Sequence, residues 1–160
     1  MTKSSKKVLL TALVIFLLLS VIISNYHIEV ITYNYADDAE SDCRIVLISD
    51  LHGREFGKDN SVLLKKIVEV EPDIICLAGD FIDEDNTPAD NNEFLLLLSN
   101  LTELAPVYYS FGNHDLNYLE NNFSDLVERM ENTGCIILDE NFQQVYTGSS
   151  LNKGVVTLWH

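Results

Sequence analysis

Six residues in three short stretches are of the types that bind metal ions and move protons. Asp50 and His52 stand two apart in Ser49-Asp50-Leu51-His52. Asp80 follows a glycine, and Asp83 comes three residues later. Asn113 and His114 lie in Gly112-Asn113-His114-Asp115. Carboxylate, imidazole and amide donors suit Mn, Fe, Zn or Mg, and the set contains no thiolate. In extended chain, residues i and i+2 point the same way, so Asp50 and His52 can grip one ion together. Asp80 has two carboxylate oxygens, enough to bridge two ions. Asn113 offers an amide oxygen to the second. Two divalent ions about 3.5–4 Å apart acidify a bridging water and clamp a phosphate. His114 adjoins a ligand and can give a proton or a hydrogen bond to a leaving oxygen, with Asp83 orienting its ring.

Such residues act together only if the fold gathers them, and the surrounding pattern predicts that it does. Residues 44–49 (RIVLIS), 73–78 (DIICLA) and 107–111 (VYYSF) are short apolar runs of the kind buried on both faces of a sheet. Each chemical stretch follows one of these runs. Asp50, Asp80 and Asn113 are about 30 residues apart in turn, one βαβ unit each. Parallel strands with right-handed crossovers follow, and ligands in such sheets bind beyond the carboxyl ends. A lone Asp-x-His or Gly-Asp is commonplace at turns. Three in order at successive strand ends are far more specific.

Residues 59–70 carry Val62, Leu63, Ile67 and Val70 at helical spacing, with Asn60 or Ser61 as cap. Residues 93–104 and 116–132 predict two more helices, ended by Pro106 and Gly134. His27–Tyr35 alternates β-branched and aromatic residues and reads as a strand. Residues 36–42 read as a charged turn, 135–138 as a fourth buried strand, and 143–160 as a hairpin around GSSLNKG. Glu84, Asp85 and Asp90 fall in an acidic loop whose spacing fits no calcium loop. His27 and His160 lie in no motif. The fold class is therefore α/β.

The 160 residues carry 10 Lys and Arg against 25 Asp and Glu, a formal charge of −15. Lys3, Lys6 and Lys7 precede an apolar run, so the remaining chain is more acidic still. Such a balance argues against a nucleic-acid binder and against a basic membrane-hugging face. The apolar content of 47% argues against disorder. Cys43, Cys76 and Cys135 have no zinc or CxxC spacing and read as small buried hydrophobes.

Residues 1–24 form a lysine-bearing head and an uncharged run from Val8 to about Ile23. A spanning helix needs roughly 20 apolar residues, about 17 at the lower limit. This segment is expected to be an uncleaved signal anchor, with cleavage near Ser24 as the alternative. The positive-inside rule leaves the lysines in the cytoplasm. Residues 25–160 would then form one small domain outside it, joined to the membrane through residues 8–24.

The stretches IVLISDLHGREFG, PDIICLAGDFID and VYYSFGNHD resemble, in order, the first three signature blocks of the calcineurin-like metallophosphoesterases. The apolar leader and the ISDLH wording are similar to the membrane-associated bacterial branch. The resemblance covers about residues 27–160. It implies the amino-terminal portion of an αββα sandwich, with two sheets flanked by helices. It also implies a dinuclear metal centre that hydrolyses phosphate esters or anhydrides. By position, Asp50 and His52 would bind the first metal, Asp80 would bridge, and Asn113 would bind the second. His114 would be the catalytic histidine and Asp83 its partner. The substrate would be phosphorylated, and a site near a bilayer suggests a lipid-linked one.

Family members continue through an isolated histidine and a Gly-His-x-His, which supply three more metal ligands. This chain holds no Gly-His-x-His and reaches Trp159-His160 before either block. Four ligands would leave much of the coordination to water. The missing strands would also leave one apolar sheet face thinly covered. A fragment, an interrupted gene or half of a two-chain enzyme all fit. The competing expectation is a truncated, inactive, membrane-anchored binding or interaction module.

Overall fold

The computed structural model describes residues 3–34, 43–87, 89–122, 125–138, 143–147 and 154–158. It separates into two units, Met1–Tyr33 and Asn34–His160.

The first unit contains helix α1, Lys3–Tyr26. Its window Ser4–Val21 is long and apolar enough to cross a membrane, a property that signal sequences share. None of that window is buried against protein. Ser20 Oγ donates to Phe16 O at 2.9 Å, which satisfies the hydroxyl within the helix. The strand expected at His27–Tyr35 is not formed among the described residues 27–34. Strand propensity records a fit to a pleated, half-buried surface. Val30 and Ile31 have none and are exposed.

The second unit is built on a four-stranded parallel sheet in the order β1-β2-β3-β4: Ile45–Ile48, Ile74–Ala78, Val107–Ser110 and Ile136–Ile137. Helix α2 (Ser61–Val70) links β1 to β2, and α3 (Asn91–Thr102) links β2 to β3. Two helices, α4 (Asn113–Asn122) and α5 (Asp125–Asn132), link β3 to β4. The single helix expected at 116–132 is thus two, and it starts three residues early. Residues 123–124 lie outside the described set, as does the turn expected at 36–42. The expected hairpin is present as β5 (Gln143–Thr147) antiparallel to β6 (Gly154–Leu158).

Register pairs Ile75 with Val107 and Leu77 with Tyr109. These four side chains share one face, and all are buried. Phe94, Leu97, Leu98 and Leu101 of α3 are buried at the i, i+3, i+4, i+7 spacing of an amphipathic helix. The rings of Phe81, Phe94 and Tyr109 lie 5.5–5.8 Å apart in this core. Each ring is tilted to its neighbours, as aromatic packing favours. The other face is thinner. It holds a small cluster of Ile74, Tyr108 and Leu138 with Cys43 and Cys76. On it Leu47 keeps 69% of its surface, and Ile45 and Ile136 are also exposed.

The cysteines behave as hydrophobes. Burial pushes the Cys135 thiol up to about 12. Burial, with Cys43 nearby, pushes Cys76 up to about 11. Neither is a thiolate nucleophile at neutral pH.

Candidate metal centre

The parallel order puts the carboxyl ends of β1, β2 and β3 on one edge, and each ends in one of the three chemical stretches. The β1 and β2 loops stay paired past the strands. Asp50 N donates to Gly79 O at 3.1 Å, His52 N to Asp80 O at 2.9 Å and Gly53 N to Phe81 O at 2.9 Å. This ladder carries His52 over the turn that follows β2.

The backbone there is not extended. Asp50, His52 and Asp80 have φ of 57°, 48° and 57°, in the left-handed region that L-residues seldom occupy. The argument from extended i, i+2 geometry is therefore corrected: Asp50 and His52 converge through left-handed turns. One ligand atom from each of Asp50, His52 and Asp80 lies within 4.8 Å of the others. A second triplet, His52, Asp83 and His114, meets the same limit. His52 belongs to both.

Asp83 differs from expectation. Its Oδ1 accepts from His52 Nδ1 at 2.7 Å, and it is not hydrogen bonded to His114. The reason is the ladder, which brings His52 to Asp83 first. A carboxylate only accepts, so Nδ1 is the donor in this bond and Nε2 is the ring nitrogen left to face a metal. Metal-binding histidines are commonly held this way. The two side chains keep 37% and 42% of their surface, so the pair sets the tautomer more than it adds stability.

His114 stands edge-on to His52, with ring centroids 4.9 Å apart and planes at 83°. Its Nδ1 is buried and has no hydrogen-bond partner among the described residues. A buried polar atom left unpaired is costly unless a ligand meets it. Asn113 is exposed and opens α4. His114 N donates to Asp80 Oδ1 at 3.0 Å, which ties that helix start to the Asp80 carboxylate. The two turns touch closely. A Cβ on Gly79 would overlap Gly112 N and Cα, and a Cβ on Gly112 would overlap the Asp80 carboxylate.

Sequence reasoning missed Asp115. It is buried, and its carboxylate accepts five hydrogen bonds. One comes from Tyr109, whose phenol is raised well above its ordinary value by burial and by Asp115. The signal was present: an acid at the third helical position can reach back to the cap amide. Glu84, Asp85 and Asp90 are exposed, as the acidic-loop reading expects. Asp90 caps Thr87 through its N and Oγ1, each at 2.7 Å. These bonds lower the Asp90 pKa.

The donor set fits a divalent ion: two carboxylates and an imidazole with a free nitrogen converge, beside a buried histidine nitrogen lacking a partner. The comparisons agree in kind. The family model for calcineurin-like phosphoesterases matches residues 43–158, which include all three stretches. An uncharacterised metallophosphoesterase of Bacillus subtilis (strain 168), YkoQ, is 30% identical over 111 residues. That alignment covers 69% of this chain and 41% of the relative.

Proposed function

The chain belongs to the calcineurin-like phosphoesterase family, and we propose on that premise that it hydrolyses phosphate esters or anhydrides at a centre of two divalent ions. Asp50 and His52 would hold the first ion, Asp80 would be shared between the two, and Asn113 would take the second. The observation that carries this reading is the convergence of Asp50, His52 and Asp80 within 4.8 Å. Asp83 keeps His52 in the tautomer that ligates. When bound, divalent ions polarise a phosphoryl oxygen and acidify water. His114 delivers a proton to the leaving oxygen. Its ring is set by the start of α4, and its unpaired Nδ1 leaves a hydrogen-bonding position for a ligand.

Helix α1 is read as an uncleaved anchor with Lys6 and Lys7 on the cytoplasmic side. The domain would then be extracytoplasmic, and a lipid-linked phosphate is the substrate class in keeping with that. The coordination positions that these four side chains leave open would go to water.

The test is manganese-stimulated cleavage of bis(p-nitrophenyl) phosphate by the complete gene product. Asp80→Asn should lower the rate by about 100-fold, at least what loss of an outer partner of a metal ligand does. An Asp80→Asn protein with undiminished activity sinks the assignment.

A further inference from the structure

Asp115 keeps 1% of its surface and is not among the groups proposed to meet a metal. Its Oδ2 accepts from Asp80 N at 2.8 Å, Gly112 N at 2.9 Å and Tyr109 Oη at 2.9 Å. Its Oδ1 accepts from Phe81 N at 3.2 Å and Ile82 N at 3.1 Å. Capping α4 would need only Gly112 N. Three of the other donors are consecutive amides from the turn after β2, more than thirty residues away.

That turn needs holding. Asp80 sits at φ 57°, and a strained non-glycine residue persists only where its surroundings over-determine it. We infer that Asp115 is a positioning residue for the metal centre: its carboxylate clamps the Gly79–Ile82 turn to the Gly112–Asp115 turn and so aims Asp80 beside Asn113. The clamp is closed from the other side by His114 N on Asp80 Oδ1. The inference rests on the proposed function, because it takes Asp80 and Asn113 as ligands.

Asp115→Asn keeps the shape but turns one acceptor into a donor. All five partners donate, so whichever way the amide lies, at least two backbone N–H groups lose their acceptor. The probe is Mn²⁺ alone, titrated by electron paramagnetic resonance into the full 160-residue chain in detergent micelles. Leu98→Ala is the control, a buried core change in α3 outside both turns. Asp115→Asn should weaken Mn²⁺ binding about 10-fold or more. Leu98→Ala should stay within about 2-fold of wild type.

Amide exchange reads the clamp without metal. The Asp80, Phe81, Ile82 and Gly112 amides should exchange about 10-fold faster in Asp115→Asn and not in Leu98→Ala. Wild-type Mn²⁺ affinity in a folded Asp115→Asn chain overturns the inference. A wild-type chain that binds no Mn²⁺ overturns the proposed function instead, and unchanged amide exchange then overturns the clamp. Where Asp115→Asn does not fold, Tyr109→Phe removes one of the five bonds. It should weaken Mn²⁺ about 3-fold, and no change overturns the inference.

Discussion

At the amino end of the sheet, Arg44 N donates to Asp73 Oδ2 at 2.8 Å and Asp73 N returns a bond to Arg44 O at 2.8 Å. The Arg44 guanidinium reaches Val70 O at 2.9 Å and Glu71 Oε2 at 3.0 Å. At the carboxyl end, Asp115 gathers five donors. Both ends thus join neighbouring strands through a carboxylate, and both contain left-handed non-glycine residues. They differ in water. The side chains of the Arg44–Glu71 pair keep 56% and 77% of their surface, against 1% for Asp115. An exposed ion pair competes with solvent and contributes about 0–1 kcal/mol. A buried carboxylate facing only donors has no solvent to fall back on. Strain is therefore stabilised at the carboxyl end, where the candidate ligands are.

Two glycines give the sharpest contrast. Gly79 at the carboxyl end and Gly134 at the amino end have φ of 74° and 90°, so alanine is strained at both. Space separates them. A Cβ at Gly79 overlaps backbone of Gly112, whereas at Gly134 the nearest atom is Thr102 Cβ at 3.8 Å. Gly134→Ala should cost about 1–2 kcal/mol, the left-handed penalty alone. Gly79→Ala should cost about 3 kcal/mol or more and abolish Mn²⁺ binding, because the two turns must part. Urea unfolding of both variants checks this. Equal losses would mean that the close approach of the turns matters no more than backbone conformation.

That Asp50, Asp80 and Asn113 follow neighbouring parallel strands at one edge of the sheet was legible, because it follows from strand direction and βαβ period, both of which apolar patterning records. The geometry within each turn was not. Nothing local to Asp50-Leu51-His52 announces left-handed backbone, which is sustained by amides donating to Gly79, Asp80 and Phe81. The partner of Asp83 was unreadable for the same reason: His52 and His114 are both about 30 residues away, and only the ladder decides between them. Asp115 was half-legible. Its helix position predicts the bond to Gly112 N, while its bonds to Asp80, Phe81 and Ile82 depend on tertiary packing. The segment 27–34 shows the opposite error, where strand-like composition lacks a surface to pack on.

Alkaline titration reads the two ends on different scales. Cys135, just before β4, has its thiol raised from 9.0 to about 12 by burial, and Cys76 to about 11. The folded chain keeps these protons after the unfolded chain has released them. Above pH 9 the unfolded state therefore binds fewer protons, and stability falls as pH rises until the folded thiols ionise. Tyr109, tied to Asp115, is shifted the same way from 10.0, so the carboxyl end joins the decline only above pH 10. The urea midpoint should fall between pH 9 and 10, and Cys76→Ala with Cys135→Ala should flatten that fall. A wild-type midpoint constant from pH 8 to 10 would contradict the assignment.

The smallest effect is the most direct test of whether strain without function is tolerated only because it is cheap. Glu71, at the carboxyl terminus of α2, has φ 52°, close to that of Asp80. Glycine is the preferred residue in a left-handed helix cap. Glu71→Gly relieves about 1 kcal/mol of strain. It also gives up the exposed pair with Arg44, about 0.5 kcal/mol, and adds some freedom to the unfolded chain. The net change should be a stabilisation of about 0.5 kcal/mol or less, read as a slightly higher melting temperature with unchanged Mn²⁺ affinity. Asp80→Gly relieves the same strain but removes a carboxylate of the candidate metal site, so it should lose Mn²⁺ binding whatever happens to its stability. A Glu71→Gly chain destabilised by more than about 1 kcal/mol would show that the exposed ties at the amino end hold the sheet as firmly as the buried ones, and the contrast between the two ends would fail.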